Sequence, residues 1–357
     1  MQTADDSDKE EKMKKPNKIL KFFKIFAITI LIIILLFVGI VLGGYLYIRH
    51  SIDKTQKVEI DKNTIEVNEG VKENLTGFKT IALFGVDSRE NELEKGTRSD
   101  CIILAIIDQS NKKVNLVSVY RDTYLQITGR NLDKVTHAYA FGGASMAMST
   151  LNTNLDLNIT EFATVNFDSM VDIVDQIGGV EITIEPSEIK YINNYIKGTS
   201  ATVGKASSEI KTAGTYNLDG VQAVAYSRIR YTEGGDYKRT ERMRTVLMAV
   251  AEKAKKLSVG DLNSFANVVL PRVYTNISTD EIMSLIPEIA SYSFEKNIGW
   301  PYEVKGDMIG GVWYGVPVTL EESVEKLHKE VLGKEDYVAS EKVKKISQAI
   351  IDKTGYR

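Results

Sequence analysis

Between Lys24 and Arg49 the chain carries no charged residue. As a helix, the run Ile25–Ile48 would span roughly 36 Å, enough to cross a hydrocarbon core with some tilt. It is apolar on every side, whereas a helix at the edge of a globular core keeps one polar face. The rival is a cleaved signal peptide. Its apolar region is normally shorter and ends in an A-x-A-like site, but this run closes on Gly43-Gly44-Tyr45. A single membrane span at residues 25–48 is therefore expected, with everything else folding on one side of a bilayer or the other.

Lysine sets the orientation. Lys12, Lys14, Lys15, Lys18, Lys21 and Lys24 precede the span with no acid among them, while Lys54, Lys57 and Lys62 beyond it alternate with Asp53, Glu59 and Asp61. The positive-inside rule places residues 1–24 in the cytoplasm and the bulk of the chain outside. Residues 49–75 are polar with little periodicity and read as a stalk. The main domain is expected over 76–335, and 336–357 as a Lys-rich C-terminal helix or tail. One cysteine, Cys101, excludes an intrachain disulfide, which suits a bacterial cell surface better than a small stapled secreted fold.

At 43% hydrophobic and 26% charged the composition is that of a globular protein with a full core. A formal net charge of −3 gives no basic field for nucleic acid. His50, His137 and His328 are too few and too scattered for a zinc site. Strand-like runs cover Thr80–Val86, Cys101–Ile107, Val114–Val119 and Val180–Ile184. Helical patterns cover His137–Leu151, Phe167–Ile177, Leu218–Tyr226, Asp236–Lys256, Thr279–Tyr292 and Glu321–Leu332, and 185–216 reads as a long polar loop. This order predicts an α/β (α+β) domain, a mixed central sheet flanked by helices.

The chemistry gathers where arginine and aspartate interrupt apolar segments. Leu83-Phe84-Gly85-Val86 ends on Asp87, at the strand edge where open α/β sheets bind ligands. Arg98 and Asp100, two apart, share one face of the strand that follows. Arg121-Asp122 closes the next strand. Arg228 and Arg230 share a face if extended. On the helix from Asp236, the apolar stripe Met243, Val246, Leu247, Val250 also holds Asp236 and Arg239, with Arg242 on its edge. Charges on an inward face are costly unless paired or ligand-bound.

Arginine forks match phosphate oxygens, and carboxylates in such a cluster commonly hold Mg²⁺. A pyrophosphate has the matching charge. No Walker A lysine motif and no G-x-G-x-x-G after a strand speaks for a nucleotide. The inventory points to metal-assisted phosphoryl transfer. Blander readings stand beside it: His137 as a helix-start or core-edge residue, Cys101 as an inert buried thiol, and Trp300 and Trp313 as either core or sugar-binding residues.

In these motifs the chain resembles the LytR-CpsA-Psr family. The likeness runs from about Ile81 to Val250. It includes Gly85-Val86-Asp87-Ser88-Arg89, Arg98-Ser99-Asp100, Arg121-Asp122-Thr123, Lys134 with His137-Ala138-Tyr139-Ala140, Val165-Asn166-Phe167, Gly178-Gly179-Val180, Arg228-x-Arg230 and Asp236-x-x-Arg239-x-x-Arg242. The resemblance implies a transferase that moves a teichoic acid or capsular polysaccharide phosphate from a polyprenyl-pyrophosphate carrier to a peptidoglycan hydroxyl, releasing polyprenyl phosphate. It implies that Asp87 and Asp100 bind Mg²⁺ (or Mn²⁺). It implies that Arg98, Arg121, Arg228, Arg230 and Arg239 hold the pyrophosphate, with Lys134, Asp236 and Arg242 on the substrate side in support. An apolar cleft would take the lipid tail. Tyr120 and Met243 depart from the family pattern, which usually has Pro and Gln there. A metal-dependent lipid pyrophosphatase or phosphodiesterase uses the same site with water as acceptor and remains the alternative.

Overall fold

The computed structural model describes residues 44, 46–47, 49–86, 88, 93–285, 288 and 291–357. The expected membrane span falls almost wholly outside them, and no helix among the described residues is long and apolar enough to cross a membrane. The chain divides into a unit up to His50, of which the described residues are helical, and a unit Ser51–Arg357. The second unit carries the sheet and the charged motifs.

Its strands are β1 (Gln56–Lys57), β2 (Phe78–Val86), β3 (Ser99–Asp108), β4 (Lys113–Val119), β5 (Tyr124–Gln126), β6 (Leu132–Lys134), β7 (Ile159–Asn166), β8 (Val180–Ile184), β9 (Gly214–Leu218), β10 (Tyr274–Thr275), β11 (Ser293–Trp300), β12 (Val304–Ile309) and β13 (Val312–Pro317). The α-helices are α1 (Val71–Asn74), α2 (Thr136–Leu155), α3 (Phe167–Gln176), α4 (Ile189–Val203), α5 (Gly220–Ser227), α6 (Gly235–Ala254), α7 (Val259–Val269), α8 (Thr279–Leu285), α9 (Leu320–Leu332) and α10 (Glu341–Thr354). A seven-stranded sheet runs in the order β1-β10-β7-β2-β3-β4-β11, with β7–β2 and β4–β11 parallel and β2–β3–β4 antiparallel. The expected mixed central sheet flanked by helices is present.

Strand alternation gives this sheet two faces. Ala82, Phe84 and Val86 of β2 and Ile102, Leu104 and Ile106 of β3 are buried together with Tyr139, Met148 and Leu151 of α2, Leu327 of α9 and Val343 and Ile350 of α10. Each such side chain contributes about 1.5–3 kcal/mol by leaving water, so this face anchors the domain. On the other face lie Leu83, Gly85, Cys101 and Ile103, beneath a second cluster that joins α3, α4, α5, α6 and β8 through Val171, Val174, Ile196, Val224 and Val246. Capping fixes where these helices begin. Asn166 accepts from the Ser169 N–H at 2.8 Å to start α3, and an Asp219–Gln222 capping box starts α5.

Three stretches differ from expectation. Residues 185–216 contain α4, whose Ile192, Ile196 and Thr199 are buried at helical spacing, and the start of β9, which pairs with β8. The helical pattern from Thr279 ends in the described residues as the short α8, and Ser293–Trp300 is an edge strand of the sheet. The segment 51–75 is packed rather than free: Ile52, Ile65, Val71 and Leu75 are buried and Gln56–Lys57 pairs with β10.

Candidate active site

Four elements bring the charged residues together. β3 places Asp100 near its start, and the turn after β4 presents Arg121. Arg228 is the C-cap of α5, with Arg230 two residues beyond, and the second turn of α6 supplies Arg239. With Phe167, Tyr195 and Met243 these side chains line a cavity of about 210 Å³. Arg228 and Arg230 both reach it although the backbone at Arg228 is helical, φ −91° and ψ −10°, rather than extended.

The arginines there are only partly neutralised. Arg121 Nη1 lies 2.9 Å from Asp100 Oδ1, and Arg239 Nη2 lies 2.8 Å from Asp236 Oδ1. Arg228 donates to Thr199 Oγ1 at 3.3 Å and lies over the rings of Phe167 and Tyr195. The buried Nε groups of Arg121 and Arg239 have no hydrogen-bond partner among the described residues. An unsatisfied buried donor is expensive, and most so on a charged group. An anion with several oxygens would satisfy both.

A second cavity of about 260 Å³ adjoins the first, and Phe167 and Met243 line both. Its wall is almost wholly apolar, built from Leu83, Ile103, Val165, Met170, Val246 and Leu247 among others. The sequence could not assign these residues because they come from strands and helices far apart in the chain. Cys101 stands in this wall, and burial pushes its thiol up to about 12, so it is an inert apolar group at neutral pH.

Other expected site residues are placed differently. Arg242 is 2% exposed and fully engaged within the protein: Nε to Glu188 Oε1 at 2.7 Å, Nη1 to the Ile229 carbonyl at 2.9 Å, Nη2 to Thr232 Oγ1 at 2.7 Å. It does not line the cavity; it fixes the Arg228–Thr232 segment that does. Lys134 also lies off the cavity, 2.9 Å from Asp122 Oδ1 and over the Tyr314 ring. Arg98 is exposed and absent from the lining. Asp236 acts through Arg239. Asp87 lies outside the described residues. His137 pairs with Asp133 at 2.8 Å.

Two residues of the site region carry no clear signal in the sequence: Tyr195, hidden in a stretch that reads as a loop, and Arg244. Arg244 is buried against Asn297 of β11, and burial lowers its pKa. It lies off the helical stripe and is covered only because α6 also packs on β11 and β4. Tyr120, at the first departure from the family pattern, packs edge-on against Tyr237 with centroids 4.5 Å apart. Its ring occupies the space over Gly299, where any Cβ would collide with the hydroxyl.

The chain belongs to the LytR_cpsA_psr family, whose profile matches residues 44–330. It is 34% identical over 257 residues to the polyisoprenyl-teichoic acid–peptidoglycan teichoic acid transferase TagU of Enterococcus faecalis, covering 70% of this chain and 78% of that protein. It is 28% identical over 274 residues to the transferase TagT of Bacillus subtilis, covering 74% and 82%. Among solved structures, protein gbs0355 from Streptococcus agalactiae superposes with a TM-score of 0.62 at 26% identity over 77% of this chain and 92% of that one. TagT with bound octaprenyl pyrophosphate gives 0.51 at 22% identity over 84% and 94%.

Proposed function

We propose that this chain transfers a glycopolymer phosphate, of teichoic acid or capsular type, from a polyprenyl-pyrophosphate carrier to a peptidoglycan hydroxyl outside the membrane. One observation carries the reading: a cavity walled by Arg121, Arg228, Arg230 and Arg239 adjoins an apolar cavity, with Phe167 and Met243 lining both. A ligand that fills both has several anionic oxygens at one end and hydrocarbon at the other. The E. faecalis and B. subtilis relatives are named for this reaction, and TagT has been seen with such a lipid.

In this reading the arginine forks hold the pyrophosphate oxygens and take up charge as the transition state forms. The acceptor oxygen bonds to the phosphorus that carries the polymer, the bridging P–O bond breaks, and polyprenyl phosphate departs with the electron pair and takes up the proton. Asp100, with Asp87, would hold Mg²⁺ (or Mn²⁺). Among the described residues no group of three potential metal ligands occurs. Mg²⁺ needs only one or two carboxylates where phosphate oxygens and water complete its shell, and Asp100 at the cavity wall meets that requirement. When bound, the metal would supply positive charge against the charge that develops during phosphoryl transfer. The apolar run Ile25–Ile48 would anchor the domain beside a donor that is itself a lipid, raising its effective concentration.

The decisive experiment incubates the protein with lipid-pyrophosphate glycopolymer, with and without peptidoglycan. Polymer attached to peptidoglycan is the expected result. Release of polymer without attachment would mean that water is the acceptor and the chain is a pyrophosphatase.

A further inference from the structure

Trp300 and Trp313 are the chain's two tryptophans, and they lie in opposite environments. Trp300 is fully buried and donates through Nε1 to the Ser323 carbonyl at 3.0 Å. Trp313 is 40% exposed on β13. Its indole lies across Gly306 on the neighbouring strand, where a Cβ would sit 3.0 Å from Trp313 Nε1. Gly306 pairs directly with Gly315, and Trp313 with Met308, which is 60% exposed. These four residues share one face of the β12–β13 hairpin. The indole covers Gly306, whereas Gly315 is buried, and a Cβ there would lie 3.1 Å from Val304 Cγ1.

The hairpin packs beside the turn that carries Arg121. The Gly315 N–H donates to the Asp122 carbonyl at 2.9 Å, next to Arg121. A Cβ on Gly315 would lie 3.7 Å from the hydroxyl of Tyr237, a 37% exposed residue between Asp236 and Lys238 at the start of α6. Trp313 follows two strand positions along, about 7 Å from Gly315. Two exposed aromatic side chains, Trp313 over Gly306 and Tyr237 beside the buried Gly315, therefore stand near the turn that carries Arg121.

We propose that this surface docks the acceptor, a glycan strand whose pyranose face lies on Trp313 and whose next sugar reaches Tyr237. It rests on the transferase reading above. Pyranose faces carry weakly positive C–H groups that sit well on the negative face of an aromatic ring. Gly306 lets the indole lie flat against the hairpin with its outer face free for a sugar, where a side chain at 306 would lift it. The donor's pyrophosphate and tail are accommodated by the two cavities, which leaves the Tyr237 side for the nucleophile. A membrane is the other partner that exposed Met308, Val312 and Trp313, beside the Gly310-Gly311 turn, could meet, and lipid vesicles test it. Lys305 is the nearest cation on β12, and it lies over the Tyr356 ring.

The test uses the full-length protein in detergent, the intrinsic tryptophan emission, and uncross-linked peptidoglycan glycan strands with no donor present. Glycan is expected to shift the emission saturably. The shift should vanish in Trp313→Phe, which keeps Trp300 as a control, and in Gly306→Val, which displaces the indole. In transfer assays, Trp313→Ala is expected to raise the acceptor KM at least about tenfold with the donor KM unchanged, and Trp313→Tyr to restore most of it. No emission change with glycan, or a change with phosphatidylglycerol vesicles alone, overturns the assignment. Because glycan binding is read without turnover, it succeeds or fails independently of whether the chemistry is transfer or hydrolysis.

Discussion

The two faces of the central sheet use the same strands to opposite ends. On one, Ala82, Phe84, Val86, Ile102 and Leu104 meet α2, α9 and α10 with nothing left exposed. On the other, Leu83, Gly85, Cys101 and Ala163 stand under helices that do not close upon them, and a cavity of about 260 Å³ remains. Protein interiors normally pack to crystal density. A hollow lined by apolar side chains from both the strands and the helices is room for an apolar ligand. The sealed face holds the domain together, and the hollow face is free to be shaped by its ligand.

The comparison can be broken at several points. The largest effect is expected at Arg242→Ala. It leaves Glu188 charged and buried without its partner, which costs about 3–5 kcal/mol and should appear as a lower denaturation midpoint. A stable variant would mean that this arginine is functional rather than structural. Arg121→Ala, on the cavity side, should leave the midpoint almost unchanged. It should lower transfer about 10²–10³-fold, the scale for removing one transition-state donor. Wild-type turnover in that variant would remove the arginine cavity from the mechanism. A paired substitution tests the two faces directly. Ala82→Leu on the sealed face should cost about 1–3 kcal/mol by overpacking. Ala163→Leu on the hollow face should change stability by less than about 1 kcal/mol, yet weaken octaprenyl pyrophosphate binding about tenfold, or 1.4 kcal/mol. Equal destabilisation by both would show that the hollow is as closely fitted as the core.

The arginine site was legible because its residues break local rules: a guanidinium at a strand end or on the apolar stripe of a helix announces itself in one short segment. Arg239 and Arg242 illustrate the limit. Three residues apart and alike in pattern, they differ only in whether Glu188 and the Ile229 carbonyl reach them, and those partners arrive through the fold. The α4 helix was obscured because its outer face is polar and Gly198 interrupts it, although Ile189, Ile192 and Ile196 kept the spacing. The β11 strand was obscured by an irregularity between Phe294 and Asn297 that shifts its alternation against β4. The apolar cavity had no sequence signature. Its walls are ordinary core residues, and only the pairing of β7, β2 and β3 with α3 and α6 leaves a gap between them.

Phe167 and Met243 meet both cavities, and so mark a border between two solvents. A ligand that crosses it is positioned by the bond where its charge ends and its hydrocarbon begins, not by how long the hydrocarbon is. Methionine, unbranched and adaptable, can close around that bond whatever the length of tail beyond it. On the proposed function, this border would act as a gauge of chemical discontinuity, setting the same phosphorus against the same arginines for carriers of different chain length.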